Sequence, residues 1–269
     1  MNLNIIIIEY YCMDHVEACV HSIREHLGNR IAGCLVLSNS EYSEQELREY
    51  KARLGGISFV RAPRNLGYAG GVNAALKVLV DSDYVYILNP DCLLTDDKVI
   101  ALIEKMESDN SWAIAGPKIV DEDGEVQPSC RRFPKPWTFL LARSMFSRLP
   151  GAYREQDRYF MRDYDRLVQR EVDWVSGGAM IVKTAALEQI GGMDERYFLY
   201  MEDVDWCHAS WLNGFKVGYV PESVVIHAGK HRSIQAGLTG ILSRHVRMHL
   251  SSMFKYFRKY GMSTPDTRV

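Results

Sequence analysis

Four consecutive isoleucines inside the apolar run Leu3 to Ile8 predict a strand buried on both faces. From about Asp14 the apolar positions change to helical spacing, through Val16, Val20, Ile23 and Leu27, and Gly28 ends that helix. A second strand follows from Cys34 to Leu37. Ser43-x-x-Glu46 is a capping box opening a helix that stops near Gly55 and Gly56. A third strand covers Ile57 to Val60, a helix about Gly71 to Val80, and a fourth strand Tyr84 to Leu88. Thr95 is the expected cap of a helix to about Met106, and Ala113 to Ala115 is a short strand. This alternation predicts an α/β fold, Rossmann-like, with a mostly parallel central sheet and helices on both faces. Such sheets bind ligands at the carboxyl ends of their strands.

After Gly116 the rhythm changes. Asp121 to Gly124 has the composition of a hairpin turn, and Pro128 to Arg170 is rich in arginine, aromatics and proline, with one helix expected from about Pro136 to Phe146. The stretch reads as an insertion or substrate-facing segment. Strands are expected at Val172 to Val175 and Ala179 to Val182, then a helix to Ile190 and another from about Glu202 to Leu212. Short strands follow at Val217 to Val220 and Val224 to Ile226. The division expected is 1–116 as a nucleotide-binding half, 117–230 as an acceptor and catalytic half, and 231–269 as a basic helical segment.

That last segment holds a long amphipathic helix from about Leu238 to Tyr260. Leu238, Ile241, Leu242, Val246, Leu250, Met253 and Phe257 recur at three- and four-residue steps, with Arg244, Arg247, Lys255 and Arg258 on another face. One reading packs it on the body with a solvated basic edge; the other lays it on an anionic lipid surface, as a peripheral membrane contact through 238–260. The two are compatible.

Composition narrows the class. The chain has 269 residues, 47% hydrophobic and 25% charged, which excludes disordered and fibrous proteins. Its net charge of −2 conceals a segregation. Ser223 to Pro265 contains no acid and seven basic residues, leaving 25 basic against 34 acidic residues elsewhere. Six scattered cysteines without a C-x-x-C pair suit a reduced, cytoplasmic protein. The first residues lack a signal-peptide pattern, and no apolar run approaches the ~20 residues of a membrane helix. A membrane would be met only from its inner face. Aromatic platforms interleaved with the basic charge are lacking, so no nucleic-acid partner is expected.

Three places carry candidate chemistry. Asn89-Pro90-Asp91 follows the fourth strand, so a carboxylate stands where such a sheet binds ligand and can hold a hard divalent ion against a diphosphate; the same residues also make an ordinary turn. Asn65-Leu-Gly-Tyr-Ala-Gly-Gly-Val-Asn73 places glycines before a helix, yet its spacing fits neither the dinucleotide fingerprint nor a P-loop, which argues against a dehydrogenase and an ATPase. Glu202, Asp203 and Asp205 open a helix. Acids suit a first turn in any helix, and a carboxylate there can also act as a general base toward a hydroxyl. His227 closes a strand and is a candidate metal ligand, although a lone histidine is more often structural.

Taken together in this order, these segments resemble family-2 glycosyltransferases of the GT-A fold, and in particular a bacterial rhamnosyltransferase-like branch. The resemblance runs from Asn4 to about Tyr260. Its further carriers are Ile5-Ile-Ile-Ile-Glu-Tyr-Tyr11, Trp174-Val-Ser-Gly-Gly-Ala-Met180, Gly191-Gly-Met-Asp-Glu195, Phe198-Leu-Tyr-Met-Glu-Asp-Val-Asp205 and Val225-Ile-His227 with His231-Arg-Ser233.

The resemblance implies an inverting, metal-dependent transferase using Mg²⁺ or Mn²⁺ and a nucleotide-diphospho-sugar. dTDP-L-rhamnose is the favoured donor, and the acceptor is a glycan or lipid-diphosphate-linked glycan of bacterial surface polysaccharide. A UDP-hexose transferase of the same fold and a non-catalytic sugar-nucleotide-binding relative are the alternatives; oligomeric state stays open. It implies Asp91 and His227 as metal ligands, Asp203 as catalytic base and Glu202 as the fallback. Tyr10, Ser38, Asn65, Gly67, Asn73, Asn89, Gly177 and Gly178 are implied at the donor. Trp174, Asp205, His231 and Arg232 are implied at the acceptor or diphosphate, Asp205 also as a support of helix geometry. Two departures stand out. Ser38 lies where many members carry a base-contacting aspartate, and Glu9 lies where small or amide residues are commoner. A sugar nucleotidyltransferase is disfavoured, since no glycine-rich basic loop follows the first strand.

Overall fold

A computed structural model describes residues 2–79, 82–139, 150–228, 243–262, 264, 265 and 267. Its strands are β1 (Leu3–Glu9), β2 (Gly33–Ser38), β3 (Ser58–Arg61), β4 (Tyr84–Leu88), β5 (Cys92–Leu94), β6 (Trp112–Val120), β7 (Cys130–Arg131), β8 (Arg170–Glu171), β9 (Trp174–Val175), β10 (Ala179–Lys183) and β11 (Lys216–His227). The helices are α1 (Met13–His26), α2 (Glu44–Leu54), α3 (Gly67–Val78), α4 (Val99–Ser108), α5 (Pro150–Tyr159), α6 (Leu187–Ile190), α7 (Glu202–Leu212) and α8 (Arg244–Tyr260).

The large sheet runs β3-β2-β1-β4-β10-β6-β11-β5, with β8 also on β11, and β7 and β9 form a separate ribbon. Parallel pairing holds for β3, β2, β1 and β4, as the alternating pattern predicts, and again for β6 with β11. β10 instead enters antiparallel between β4 and β6, and β5 and β8 run antiparallel to β11, so the sheet is mixed. That inversion positions the site. Pairing Ala179 with Leu88 brings Gly177 and Gly178, which precede β10, to the carboxyl end of β4.

Successive strand residues face opposite sides, and the isoleucine run fills two cores at once. Ile6, Ile8, Leu35, Val85 and Ile87 pack with residues of α3, α7 and α8. Leu3, Ile5, Ile7, Val36, Tyr86 and Leu88 pack with residues of α1, α2 and α4. Helices therefore cover both faces, and no described helix is long and apolar enough to cross a membrane.

Several boundaries differ from the sequence expectation, each for a local reason. The Ser43–Glu46 capping box forms as expected. Helix α3 begins at Gly67 rather than near Gly71, because Asn65 Oδ1 accepts the Gly67 amide and closes a turn before it. Thr95 does not cap α4; its hydroxyl donates to the Val224 carbonyl and the helix starts at Val99. The strands expected at 217–220 and 224–226 are one strand, β11, with a register shift between Val220 and Val224. Of the strand expected at 172–175 only Trp174 and Val175 are in a strand, β9, with the short β8 lying before it, and α5 is an additional helix whose residues are mostly polar. Most of the helix expected at 136–146, and residues 238–242 of the last helix, lie outside the described residues, as do His231 and Arg232.

Candidate active site

Asp91 and His227 meet because β5 pairs antiparallel with the end of β11, His227 opposite Cys92. Asp91 Oδ1 lies 3.2 Å from His227 Nε2, while His227 Nδ1 lies 3.2 Å from Gln127 Oε1. The corner is reachable, with the two side chains 27% and 21% exposed. Burial raises the Asp91 carboxyl, but the hydrogen bond and charge of His227 outweigh it and hold the group below its usual range. The Cys92 sulfur is also within 4.8 Å of both ligand atoms. It is fully buried, burial pushes its thiol well up, and it donates to the Gly178 carbonyl at 3.1 Å. Burial and the bond to the Gly178 carbonyl favour the neutral thiol of Cys92, the weaker ligand form. One carboxylate oxygen and one imidazole nitrogen fit a divalent ion that keeps its remaining positions for diphosphate and water oxygens.

Two consecutive glycines connect this corner to the acids of α7. The Asn89 amide donates to the Gly178 carbonyl at 2.8 Å, and the Gly177 amide donates to Asp203 Oδ2 at 3.0 Å. Tyr68 donates its hydroxyl to the Gly177 carbonyl at 2.5 Å. A side chain at Gly177 would meet the Asp203 Cβ at 3.3 Å, so glycine allows this approach. The other Asp203 oxygen accepts the Val204 amide at 2.8 Å.

Burial acts on both neighbouring acids, and their hydrogen-bond partners differ. Burial raises Asp203, the amides of Gly177 and Val204 and the charge of Arg131 oppose it, and the net direction is upward. Glu202 is buried, its Oε2 has no hydrogen-bond partner, and burial followed by the Asp203 charge pushes it well up. The amides of Gly177 and Val204 favour the ionised form of Asp203, and burial favours the neutral form of Glu202.

The chain reaches α7 through a strained turn. Tyr200 and Met201 have φ of 70° and 71°, a left-handed region costing about 1–2 kcal/mol for each non-glycine residue. Helix α8 holds this turn: Ser252 donates to the Leu199 carbonyl at 2.9 Å and Lys255 to the Arg196 carbonyl at 2.6 Å. Asp205 faces the same helix. Its oxygens accept from Tyr197 at 3.0 Å and from Lys259 at 2.9 and 2.8 Å, so it supports helix geometry.

At the ends of β1 and β2, Glu9 is fully buried and accepts from the Cys12 amide (2.9 Å), Ser38 (2.5 Å), Ser40 (3.0 Å) and Tyr42 (2.8 Å). Tyr10 and Tyr11 stand beside it, 52% and 55% exposed, ring centroids 4.9 Å apart. Asn39, to which the sequence reading gave no role, donates to the Gly67 carbonyl and accepts the Leu66 amide. Gly67 has φ 73°, and a Cβ there would fall 2.3 Å from the Phe198 carbonyl oxygen.

Two expected site residues sit apart from these groups. Asn73 binds the Met193 backbone through both ends of its amide and also donates to Glu195, fixing the Gly191–Glu195 segment. Trp174 is buried, donates its indole N–H to the Arg132 carbonyl and lies 4.9 Å beneath the Arg131 guanidinium. Arg131, Tyr68 and Asn39 all lay within stretches singled out by composition or motif, and only their contacts reveal what they do. A hollow of about 570 Å³ lined by Ser82, Glu107, Lys183 and Glu188 lies at the amino end of β4, away from these acids.

Residues 4–191 match the family described as glycosyl transferase family 2. The N-acetylglucosaminyl-diphospho-decaprenol L-rhamnosyltransferase of Mycobacterium tuberculosis (strain H37Rv) is 29% identical over 205 residues, covering 72% of this chain and 66% of the relative. Rhamnosyltransferase WbbL of Escherichia coli (strain K12) is 28% identical over 180 residues, covering 66% of this chain and 63% of that protein. The chain thus spans just under two thirds of either relative. A crystal structure of GalNAc-T7 with UDP, GalNAc and Mn²⁺ superposes with a TM-score of 0.68 at 16% identity, covering 96% of this chain and 48% of that one. At that identity the likeness is one of fold.

Proposed function

Because the chain belongs to glycosyl transferase family 2, we propose that it moves a sugar from a nucleotide-diphospho-sugar, dTDP-L-rhamnose by preference, to a hydroxyl of a cell-surface glycan. That the mycobacterial and Escherichia coli relatives are rhamnosyltransferases supports that donor, and the diphospho-decaprenol substrate of the mycobacterial enzyme supports a lipid-diphosphate-linked acceptor. The observation that carries the reading is the Gly177–Gly178 link, which joins the loop of Asp91 to Asp203 through adjacent residues.

In this reading the acceptor oxygen attacks the anomeric carbon from the side opposite the leaving diphosphate, and the product has inverted stereochemistry. Asp203 takes the acceptor proton on its carboxylate. The amides of Gly177 and Val204 orient that carboxylate and oppose the upward push of burial on it, while burial pushes Glu202 toward its neutral form. Asp91 and His227 would hold Mg²⁺ or Mn²⁺, which supplies positive charge to a departing diphosphate. Tyr10 and Tyr11 offer rings to a nucleobase, and Gly67 with Asn65 shapes the turn beside it.

A second reading, a UDP-hexose donor, follows from the absence of a carboxylate at position 38. A thermal-shift panel of dTDP-L-rhamnose and UDP-hexoses, with Mn²⁺ and with chelator, tests both. Stabilisation by dTDP-L-rhamnose and its transfer to a glycan acceptor is the expected result. Stabilisation by UDP-hexoses alone would select the second reading, and none by any nucleotide sugar would remove both.

A further inference from the structure

Between α8 and the segment 196–201 lies a hollow of about 320 Å³. Phe198, Leu199 and Met248 give it an apolar lining, and Arg244, Arg247 and Lys255 a cationic one. Among the described residues no carboxylate lines it, and none occurs in the sequence from Ser223 to Pro265. Lys259 shows how a cation of this helix is ordinarily balanced, between Asp194 and Asp205. Arg244 and Arg247 have no such partner among the described residues. Both also lie in the first turn of α8, which contains no acid, where positive charge opposes the helix dipole. A sequence that accumulates uncompensated cations around an apolar hollow is suited to an amphiphile with a strongly anionic head.

A chain of hydrogen bonds links the lining of the hollow to Asp203. The Phe198 carbonyl accepts the Tyr68 amide at 2.9 Å, and the Tyr68 hydroxyl binds the Gly177 carbonyl that neighbours Asp203. We infer that the groove between α8 and Phe198–Leu199 binds the diphosphate and the adjoining hydrocarbon of a lipid-diphosphate-linked acceptor, leaving the sugar beyond the diphosphate to reach Asp203. The phosphates would lie against Arg244, Arg247 and Lys255, and the hydrocarbon against Phe198 and Met248. The inference rests on the transferase reading above, and it names where that acceptor is held. Leu250 and Phe254, 40% and 69% exposed on the same helix, mark the competing occupant, an anionic bilayer surface.

The test is direct binding, by equilibrium dialysis of farnesyl diphosphate in EDTA, which keeps the probe from a metal at Asp91 and His227. Expected is saturable binding to the wild-type chain, at least tenfold weaker in the R244Q/R247Q double variant and largely kept in R244K/R247K. Nucleoside diphosphate binding with Mn²⁺ should be unchanged in both variants, which also reports that they are folded. Inorganic pyrophosphate should bind at least tenfold more weakly than farnesyl diphosphate. Equal affinity for the two probes would reduce the groove to a free-anion site and overturn the inference, as would undiminished binding in R244Q/R247Q. So would a double variant that loses only its association with phosphatidylglycerol vesicles. Because no nucleotide sugar enters the dialysis, failure here leaves the donor panel untouched, and failure of that panel leaves this result standing.

Discussion

The Glu9 carboxylate accepts the Ser38 hydroxyl at 2.5 Å across the parallel register that pairs these two residues. A negative charge absent from the end of β2 is thus supplied from β1, one strand over.

Glu9 is fully buried, and its partners include the backbone amide of Cys12, which cannot rotate to accommodate a new donor. Glu9→Gln replaces one acceptor oxygen with an NH₂ in a cluster where the Cys12 amide can only donate and the hydroxyls of Ser38, Ser40 and Tyr42 now donate to the carboxylate. Each unsatisfied buried group costs about 1–3 kcal/mol, and a melting temperature lower by several degrees is expected. Nucleotide affinity, measured by calorimetry with Mn²⁺, should fall with it, since Tyr11 and Ser40 lean on the same cluster.

Asp203→Asn is expected to lower turnover by about 10²–10⁴-fold, the usual contribution of a general base, with donor affinity changed by less than a few fold. Glu202→Gln should retain turnover within roughly tenfold, because burial favours the neutral form that glutamine resembles. The reverse ranking in a single-turnover assay would make Glu202 the base.

Glu202 also predicts a dependence of stability on pH. Its folded-state pKa is raised well above the ordinary carboxyl value, so the folded chain holds a proton that the unfolded chain has released. Stability from this group is complete at acid pH and declines as pH rises above the usual glutamate range. Glu202→Gln removes that decline. Its melting temperature relative to wild type should increase between pH 4 and 7 in calorimetric scans.

Asp91→Asn and His227→Ala should each lose metal-dependent nucleotide binding. Dialysis against chelator should reduce transfer in the wild-type chain at least a hundredfold, with recovery on adding Mn²⁺ or Mg²⁺. Transfer that survives chelation would remove the metal from the reaction.

His208 gives a dependence of the opposite sign. It is buried, stacked on Tyr260 with centroids 3.7 Å apart, and its Nδ1 lies 2.6 Å from the Tyr256 hydroxyl. Burial, and then the charge of Lys259, lower its pKa to about 4. Between pH 6.5 and about 4 the unfolded chain binds a proton that the folded one refuses, so stability is full above that window and falls through it, by about 3 kcal/mol at most. His208→Phe should flatten the melting temperature across this window.

Much of this was readable beforehand, in elements whose signal is local. The isoleucine run of β1, the capping box of α2 and the acid-rich start of α7 announce themselves by spacing or by side chain. Pairing direction does not, because Ala179 to Val182 has the same composition whether it runs with β4 or against it. Gly70, expected just before the helix, is helical, and Gly71, expected at its start, lies within it and is small because Ile8 and Asn39 pack against it. Asn73 and Asp205 could be placed in the right motifs, but not given their partners, which lie about 120 and 54 residues away. The carboxylate of Glu9 looked like an oddity until the register of β1 with β2 put it beside Ser38.

The bond from Lys259 to Asp205 also orders events during synthesis. Asp205 is buried at the start of α7, and its cation arrives on α8, 54 residues later in the chain. Until α8 emerges and docks, that carboxylate is uncompensated and the left-handed turn at Tyr200 and Met201 lacks the contacts from Ser252 and Lys255 that hold it. A nascent chain stalled after β11 would already hold the sheet and the Asp91 corner, yet would lack the α8 contacts that fix the turn leading into Glu202 and Asp203.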